Sequence, residues 1–432
     1  MNKYLSLHHF LFNKIGKLFN CRFLFLHPSA IGNASEELLF SLYRAQKEKK
    51  KIILIKPNFL IKILYPNNST YSLNFIKNEN LALEPDSIIL SIVSFLFSIY
   101  FLIAKIMFAL LRKILRLQAN GYYWRPMFGQ DLIWTPDSFN KFDWKLVEDF
   151  QWQNEIKKGL HIELNKKKFE KYENLELSKK LKDNWYVCLH VRDGGYKKDF
   201  KNIRNSNIEN YFETIKYIIS LGGYVIRMGD KTSNPINKVF LNECNGKLVD
   251  YPFENYNDPA FDIFLIFNCK YYIGTSSGIL DTAWLFNKPV LTTNNPHWLN
   301  VLPLRKTDIG IFKKVYSKSK KKYLKISEWL DEFNLIRSED YGSDDWKFEE
   351  NNSEEIKKAF KEFIEINSSQ FYLSSKVQIN FKEKYKKTIK ALSKNFKFAE
   401  NNYENQIEWY RHGSRQINWQ GNIANFFLED NY

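Results

Sequence analysis

Four short segments carry residue types suited to chemistry, and three of them point to an anionic ligand. His190-Val191-Arg192-Asp193-Gly194-Gly195 closes an apolar run. Alternation along an extended chain puts His190 and Arg192 on one side, with Asp193 opening the loop beyond. A guanidinium in that place suits a diphosphate, because its planar fork meets two oxygens at once. His190 and Asp193 are candidate bases, set against the plainer expectation of a core histidine and a turn-capping acid. Gly274-Thr275-Ser276-Ser277-Gly278 sits between an apolar run and a helical pattern beginning near Ile279. Small residues let a phosphate approach the backbone, and a helix amino end offers N–H donors. The three hydroxyls either add contacts or cap the helix. In Arg227-Met228-Gly229-Asp230, Arg227 is placed to reach a second phosphate, while Asp230 binds a sugar hydroxyl or begins a turn.

The fourth segment is Ser29-Ala30-Ile31-Gly32-Asn33, followed by Glu36 and Glu37. Gly32 permits close approach of a ligand, and Glu36 is a further candidate base. Acids in a first helical turn are also favoured by the helix dipole alone, which weakens that assignment. The loop Asn294 to Trp298 follows another apolar run and could line the same crevice, although a stray loop histidine is the plainer expectation for His297. Several familiar signatures are missing: a Walker Gly-Lys-Ser/Thr, GxGxxG, HExxH, GxSxG and a DxD pair at a strand end. Hydride transfer, serine hydrolysis and zinc chemistry lose ground accordingly. No cofactor or metal is expected.

The elements that must position these residues read as α/β. Phe23 to Leu26, a helix over Ser35 to Lys49 and Ile52 to Ile55 form an opening β-loop-α-β unit. A second series begins with a strand over Trp185 to Val191, a helix over Ile208 to Leu221 and a strand over Tyr224 to Met228. It continues with Lys247 to Tyr251 (strand), Pro259 to Cys269 (helix), Tyr271 to Gly274 (strand), Ile279 to Phe286 (helix) and Pro289 to Thr292 (strand). Strands separated by helices of this length imply a parallel sheet covered on both faces. Residues 166–182, rich in Lys and Glu, mark the expected boundary between residues 23–160 and 183–300. Residues 301–432 are expected to form a mainly helical extension, with helices over Ser353 to Ile366 and Lys382 to Lys397.

Composition narrows the partners. The chain has 432 residues, with 64 Lys and Arg against 48 Asp and Glu, a net charge of +16. Four scattered cysteines form no CxxC pair, which fits a reducing compartment. Nucleic-acid signatures are absent, leaving an anionic substrate or an anionic membrane surface to use the charge. Residues 1–22 read as an amphipathic arm. Ile88 to Leu111 is long and apolar enough to be a transmembrane candidate, with Arg112, Lys113 and Arg116 flanking it. A span would separate the two α/β halves across the bilayer, so a helix lying on the membrane or buried against the first half is preferred.

His190-Val191-Arg192, Val225-Ile226-Arg227-Met228-Gly229, Asp250-Tyr251-Pro252-Phe253 and Gly274 to Gly278 together resemble a bacterial surface-polysaccharide glycosyltransferase family. The His-x-Arg element is similar to that of the GT-B fucosyltransferases. The resemblance implies two Rossmann-like domains facing a cleft, 23–160 on the acceptor side and 183–300 binding a nucleotide sugar. It further implies Arg192 and Ser276–Ser277 on the donor diphosphate, and an inverting reaction without a metal. The expected partners are a nucleotide sugar, a lipid-linked or glycan acceptor and an anionic membrane surface, with the protein at the cytoplasmic face. A non-catalytic, membrane-associated scaffold of the same fold is the alternative. Arg192-Asp193-Gly194-Gly195 departs from the Arg-x-x-Asp order of some fucosyltransferases.

Overall fold

The computed structural model describes residues 15–16, 18–26, 30–64, 69–114, 160–195, 198–256, 258–296, 302–331, 345–368, 375–395 and 419–432. Ser29, His297, Trp298 and most of the 1–22 arm lie outside them. The amino-terminal unit pairs β1 (Cys21–Phe25) with β2 (Lys51–Ile55) in parallel, joined by helix α1 (Ile31–Glu48). Ala34, Leu38, Leu42 and Ala45 recur at helical spacing and are fully buried, which is why this stretch folds as a helix packed on its neighbours. It ends where Lys49 turns left-handed at φ 52°. Helix α2 (Ile88–Ile114, 27 residues) lies against β2. Two short strands, β3 (Ile76–Lys77) and β4 (Glu163–Leu164), pair antiparallel.

The main sheet has seven strands: β5 (Tyr186–His190), β6 (Tyr224–Met228), β7 (Leu248–Asp250), β8 (Tyr271–Gly274), β9 (Val290–Asn295), β10 (Ile309–Phe312) and, from the carboxyl end, β14 (Asn422–Ile423). Its order is β14-β10-β9-β8-β5-β6-β7, and every pairing is parallel. Alternate residues serve opposite faces. Val187, Leu189, Val225 and Ile273 pack with helices α3 (Phe212–Ser220) and, later in the chain, Ser353–Ser368. Cys188, Ile226, Tyr272 and Val290 pack with α4 (Pro259–Asn268) and α5 (Ile279–Leu285). Burial on both faces explains why these strands read as continuous apolar runs.

Among the described residues, 301–432 carry strands besides the expected helices. They supply β10 and β14 to the main sheet and a three-stranded antiparallel sheet of β11 (Lys314–Ser317), β12 (Lys322–Tyr323) and β13 (Trp346–Glu349). Helices α6 (Ser353–Ser368) and α7 (Lys376–Asn395) then cover the sheet. The 166–182 stretch, at the expected boundary, packs against a helix of the main sheet. It folds as helices Lys166–Glu173 and Glu176–Leu181, and Tyr172 stacks on Phe261 with ring centroids 5.1 Å apart.

The amino-terminal unit shares a core with the sheet, because Leu24, Leu38, Leu42 and Leu54 belong to the same buried cluster as Phe261 and Ala283. Its described strands number two, so it adds a strand pair and a helix to that core. Among the described residues, no helix is long and apolar enough to cross a membrane.

Candidate active site at the reversal of strand order

The chain runs β5 to β6 to β7 toward one edge, returns to β8 beside β5, and continues through β9 and β10 toward the other edge. The carboxyl ends of β5 and β8 therefore lie at the strand-order reversal, the place where open parallel sheets receive ligands. His190 ends β5 directly opposite Gly274, which ends β8. Two hydrogen bonds stitch the loops that follow. The Arg192 N–H donates to Thr275 Oγ1 at 3.0 Å, and the Thr275 N–H donates to the His190 carbonyl at 3.1 Å. Thr275 is fully buried, so its hydroxyl is a structural staple, and Ser276 is buried beside it.

His190 and Ser277 meet at the mouth, with Ser277 Oγ 3.0 Å from His190 Nδ1. Burial, then the Arg227 charge, pushes the imidazole down to about 4, leaving the ring neutral at pH 7. If Nδ1 accepts from Ser277, Nε2–H is a donor. If Nδ1 donates, Nε2 is a basic lone pair. Arg192 is half-buried beside them. Its Nε donates to Asn205 Oδ1 at 3.0 Å, and one terminal nitrogen pairs with Asp199 at 3.3 Å. These partners hold the guanidinium at the loop edge with about one-sixth of its side chain open, at 16% exposure.

The structure takes several sequence candidates elsewhere. Arg227 is 1% exposed, and its fork serves the Asp250 carboxylate and the Asn234 carbonyl, both at 2.8 Å. It is an internal ion pair of β6 and β7 and has no open face for a phosphate. Asp193 accepts from the Gly195 N–H at 3.0 Å and the Asn234 N–H at 3.1 Å, with Arg227 at 3.8 Å. Both of its oxygens brace loops, the turn-capping role of the plainer expectation. Asp230 accepts the Thr232 N–H at 2.7 Å and the Thr232 hydroxyl, so it begins a turn. Gly229 precedes it at φ +153°, a backbone that side chains disfavour.

The Ser29–Asn33 loop is shorter than expected, since α1 begins at Ile31 and takes in Gly32 and Asn33. Gly32 serves helix contact: a Cβ there would stand 2.4 Å from Gly278 Cα. The two glycines bring the amino ends of α1 and α5 together, and Ser35 Oγ meets Thr282 Oγ1 at 2.8 Å along the same seam. Gly278 is thus occupied by the other helix. Glu36, at 3% exposure, is enclosed in this packing and closed to an acceptor.

Two groups were not singled out in the sequence. Asp262, in the first turn of α4, is raised to about 7, chiefly by burial, with the Asp258 and Asp230 charges acting in the same direction. Its spacing from Asp258 reads in sequence as a capped helix start, which it also is. The end of β9 carries a buried polar knot. Tyr211 Oη lies 2.6 Å from Thr293 Oγ1, and Asn294 and Asn351 exchange hydrogen bonds of 2.7 and 2.6 Å. Only the Thr-Thr-Asn-Asn run at the strand end hinted at it. Among the described residues, no three His, Cys, Asp or Glu side chains gather as metal ligands.

No protein-family model matches the chain, and no curated protein is detectably similar to it. Among solved structures, the ADP-heptose LPS heptosyltransferase II of E. coli aligns over 68% of this chain and 90% of its own, at 13% identity and a TM-score of 0.29. A superposition that loose does not carry fold or activity from one chain to the other.

Proposed function

We propose that the β5–β8 crevice binds the diphosphate of a nucleotide sugar and that the protein is a glycosyltransferase of surface-polysaccharide assembly. The observation that supports this most is that the His190–Ser277 contact and the loop carrying Arg192, tied to Thr275, lie at the strand-order reversal of a parallel sheet. The resemblance carried by His190-x-Arg192 supports the same reading and supplies its finer parts: a GT-B type enzyme, inverting, metal-independent, acting on a lipid-linked or glycan hydroxyl at the cytoplasmic face.

In that reaction the acceptor oxygen bonds to the anomeric carbon as the bond from that carbon to the diphosphate oxygen breaks. Negative charge grows on the leaving diphosphate. Arg192 meets that charge, and the Ser277 hydroxyl adds a donor. The acceptor proton passes to a base. Of the three sequence candidates, His190 sits at the strand end against Ser277, and its low pKa makes it a weak base but a ready neutral acceptor.

A thermal-shift screen with UDP, GDP, CDP and their sugars tests the donor side, followed by transfer assays on wild type and Arg192→Ala. The reading expects one nucleotide family to stabilise the wild type, and transfer to collapse in the variant. A flat response to every nucleotide contradicts it. Nucleotide binding without transfer to any lipid-linked or glycan acceptor favours a non-catalytic scaffold.

A further inference from the structure

Helix α2 has two unlike faces. Leu90, Ser94, Phe97 and Ser98 are buried against the amino-terminal unit. The Lys56 N–H donates to Ser94 Oγ at 3.0 Å, and the Phe97 ring lies 5.4 Å from that of Phe25. The opposite face is apolar and open: Ile92 is 56% exposed, Leu96 60%, Ile103 53%, Ile106 59% and Leu110 55%. With Ile99, 36% exposed, between Leu96 and Ile103, their steps of three and four residues keep them on one stripe. From Ile88 to Leu110 the stripe runs about 33 Å at 1.5 Å per residue. Helix Phe59–Leu64 touches α2 and widens the surface, with Phe59 and Ile63 exposed on either side of the exposed Lys62.

An open apolar surface of this extent marks an interaction site. The charge pattern selects the partner. No residue from Ser87 to Gln130 is acidic, while Lys105, Arg112, Lys113, Arg116 and Arg125 are basic. A protein partner would be matched by charges of both signs along the rim. A one-signed basic flank beside an unbroken aliphatic stripe matches acyl chains beneath anionic headgroups.

We infer that α2 lies flat in the headgroup boundary of an anionic bilayer, with the Ile92–Leu110 stripe inserted and the Leu90–Ser98 face still packed on the protein. It cannot be wrapped by lipid all round, because β2 and the Phe25 ring occupy its other side. The inference stands apart from the transferase reading, since it uses no residue of the crevice.

Flotation of the full chain with phosphatidylglycerol-containing and pure phosphatidylcholine vesicles tests it. Wild type is expected to float with the anionic vesicles and to be released by salt. Ile92→Glu/Ile103→Glu, both at exposed positions, should lose vesicle partitioning by at least about tenfold, with an unchanged melting temperature. Arg112→Gln/Lys113→Gln should lessen the preference for anionic lipid. Failure of the wild type to float, or equal flotation of the Ile92→Glu/Ile103→Glu variant, overturns the inference. So does conversion of a dimer to a monomer by that variant without a lipid effect, which would make a second copy of the chain the occupant. Retention of the wild type in membranes washed with alkaline carbonate would overturn the flat orientation in favour of a span.

Discussion

Arg192 and Arg227 follow or end neighbouring strands of one sheet, and both have the residue type and the position of a phosphate ligand. Their surroundings separate them. Arg227 faces Asp250 on the adjacent strand at 2.8 Å and is sealed at 1% exposure, with Asp193 closing the remaining side. Arg192 is gripped by Asn205 and Asp199 from its own loop and stays open at 16%, beside His190 and Ser277. An arginine paired with a carboxylate and sealed in the core holds strands together. One steadied at the edge of a crevice is preorganised for an anion, because part of its ordering has been met before the ligand arrives.

The contrast can be broken most sharply at Arg227. Arg227→Ala leaves the Asp250 carboxylate buried at 7% exposure without its partner, and the expected loss of stability is about 3–5 kcal/mol. Chemical denaturation measures it; a loss well under about 1 kcal/mol would return Arg227 to the ligand candidates. Next comes the seam that took Gly32 and Gly278 away from the phosphate role. Gly32→Ala drives a Cβ to 2.4 Å from Gly278 Cα, and the strain of parting α1 and α5 should cost about 1–3 kcal/mol in the same measurement. Stability equal to wild type would mean that the seam yields freely.

Smaller effects are expected from protonation. His190 has a folded pKa of about 4, below its ordinary 6.5. Its contribution to stability is therefore present above about pH 6.5 and lost as pH falls toward 4. His190→Asn, which keeps an acceptor near Ser277, should flatten the melting temperature over that window; an undiminished acid decline would show that another group is responsible. Asp262 runs the other way, from an ordinary 3.8 up to about 7 in the folded chain. Its contribution is present below about 3.8 and lost as pH rises through 7. Asp262→Asn should therefore gain on the wild type from about pH 4 to about pH 7 and level off above, by about a few degrees in melting temperature. A gain that is constant with pH would assign the effect to packing rather than charge.

Between residues 186 and 295 the elements were legible, because buried parallel strands and amphipathic helices alternate with little interruption. Tyr224–Met228 and Tyr271–Gly274 have the bounds their apolar runs suggest. Helix α1 starts earlier than its pattern because Gly32 and Asn33 look like loop residues, and only the approach of Gly278 explains a glycine in that first turn. Arg227 was misread for a similar reason. Its partner Asp250 is 23 residues away on another strand, and nothing local to Arg227-Met228-Gly229-Asp230 reveals it. His190 and Ser277 were visible as types, but their contact depends on β5 and β8 being neighbours, a matter of topology. The two residues of β14 are too few for any pattern to be seen.

The central claim is that Arg192 belongs to an anion site and Arg227 to the core. Titration calorimetry with UDP, GDP or CDP, whichever stabilises the wild type most, addresses it directly. Arg192→Ala should bind that nucleoside diphosphate at least about tenfold more weakly, a loss of about 1.4 kcal/mol, while melting at the wild-type temperature. Unchanged affinity in Arg192→Ala, with the fold intact, would contradict the account.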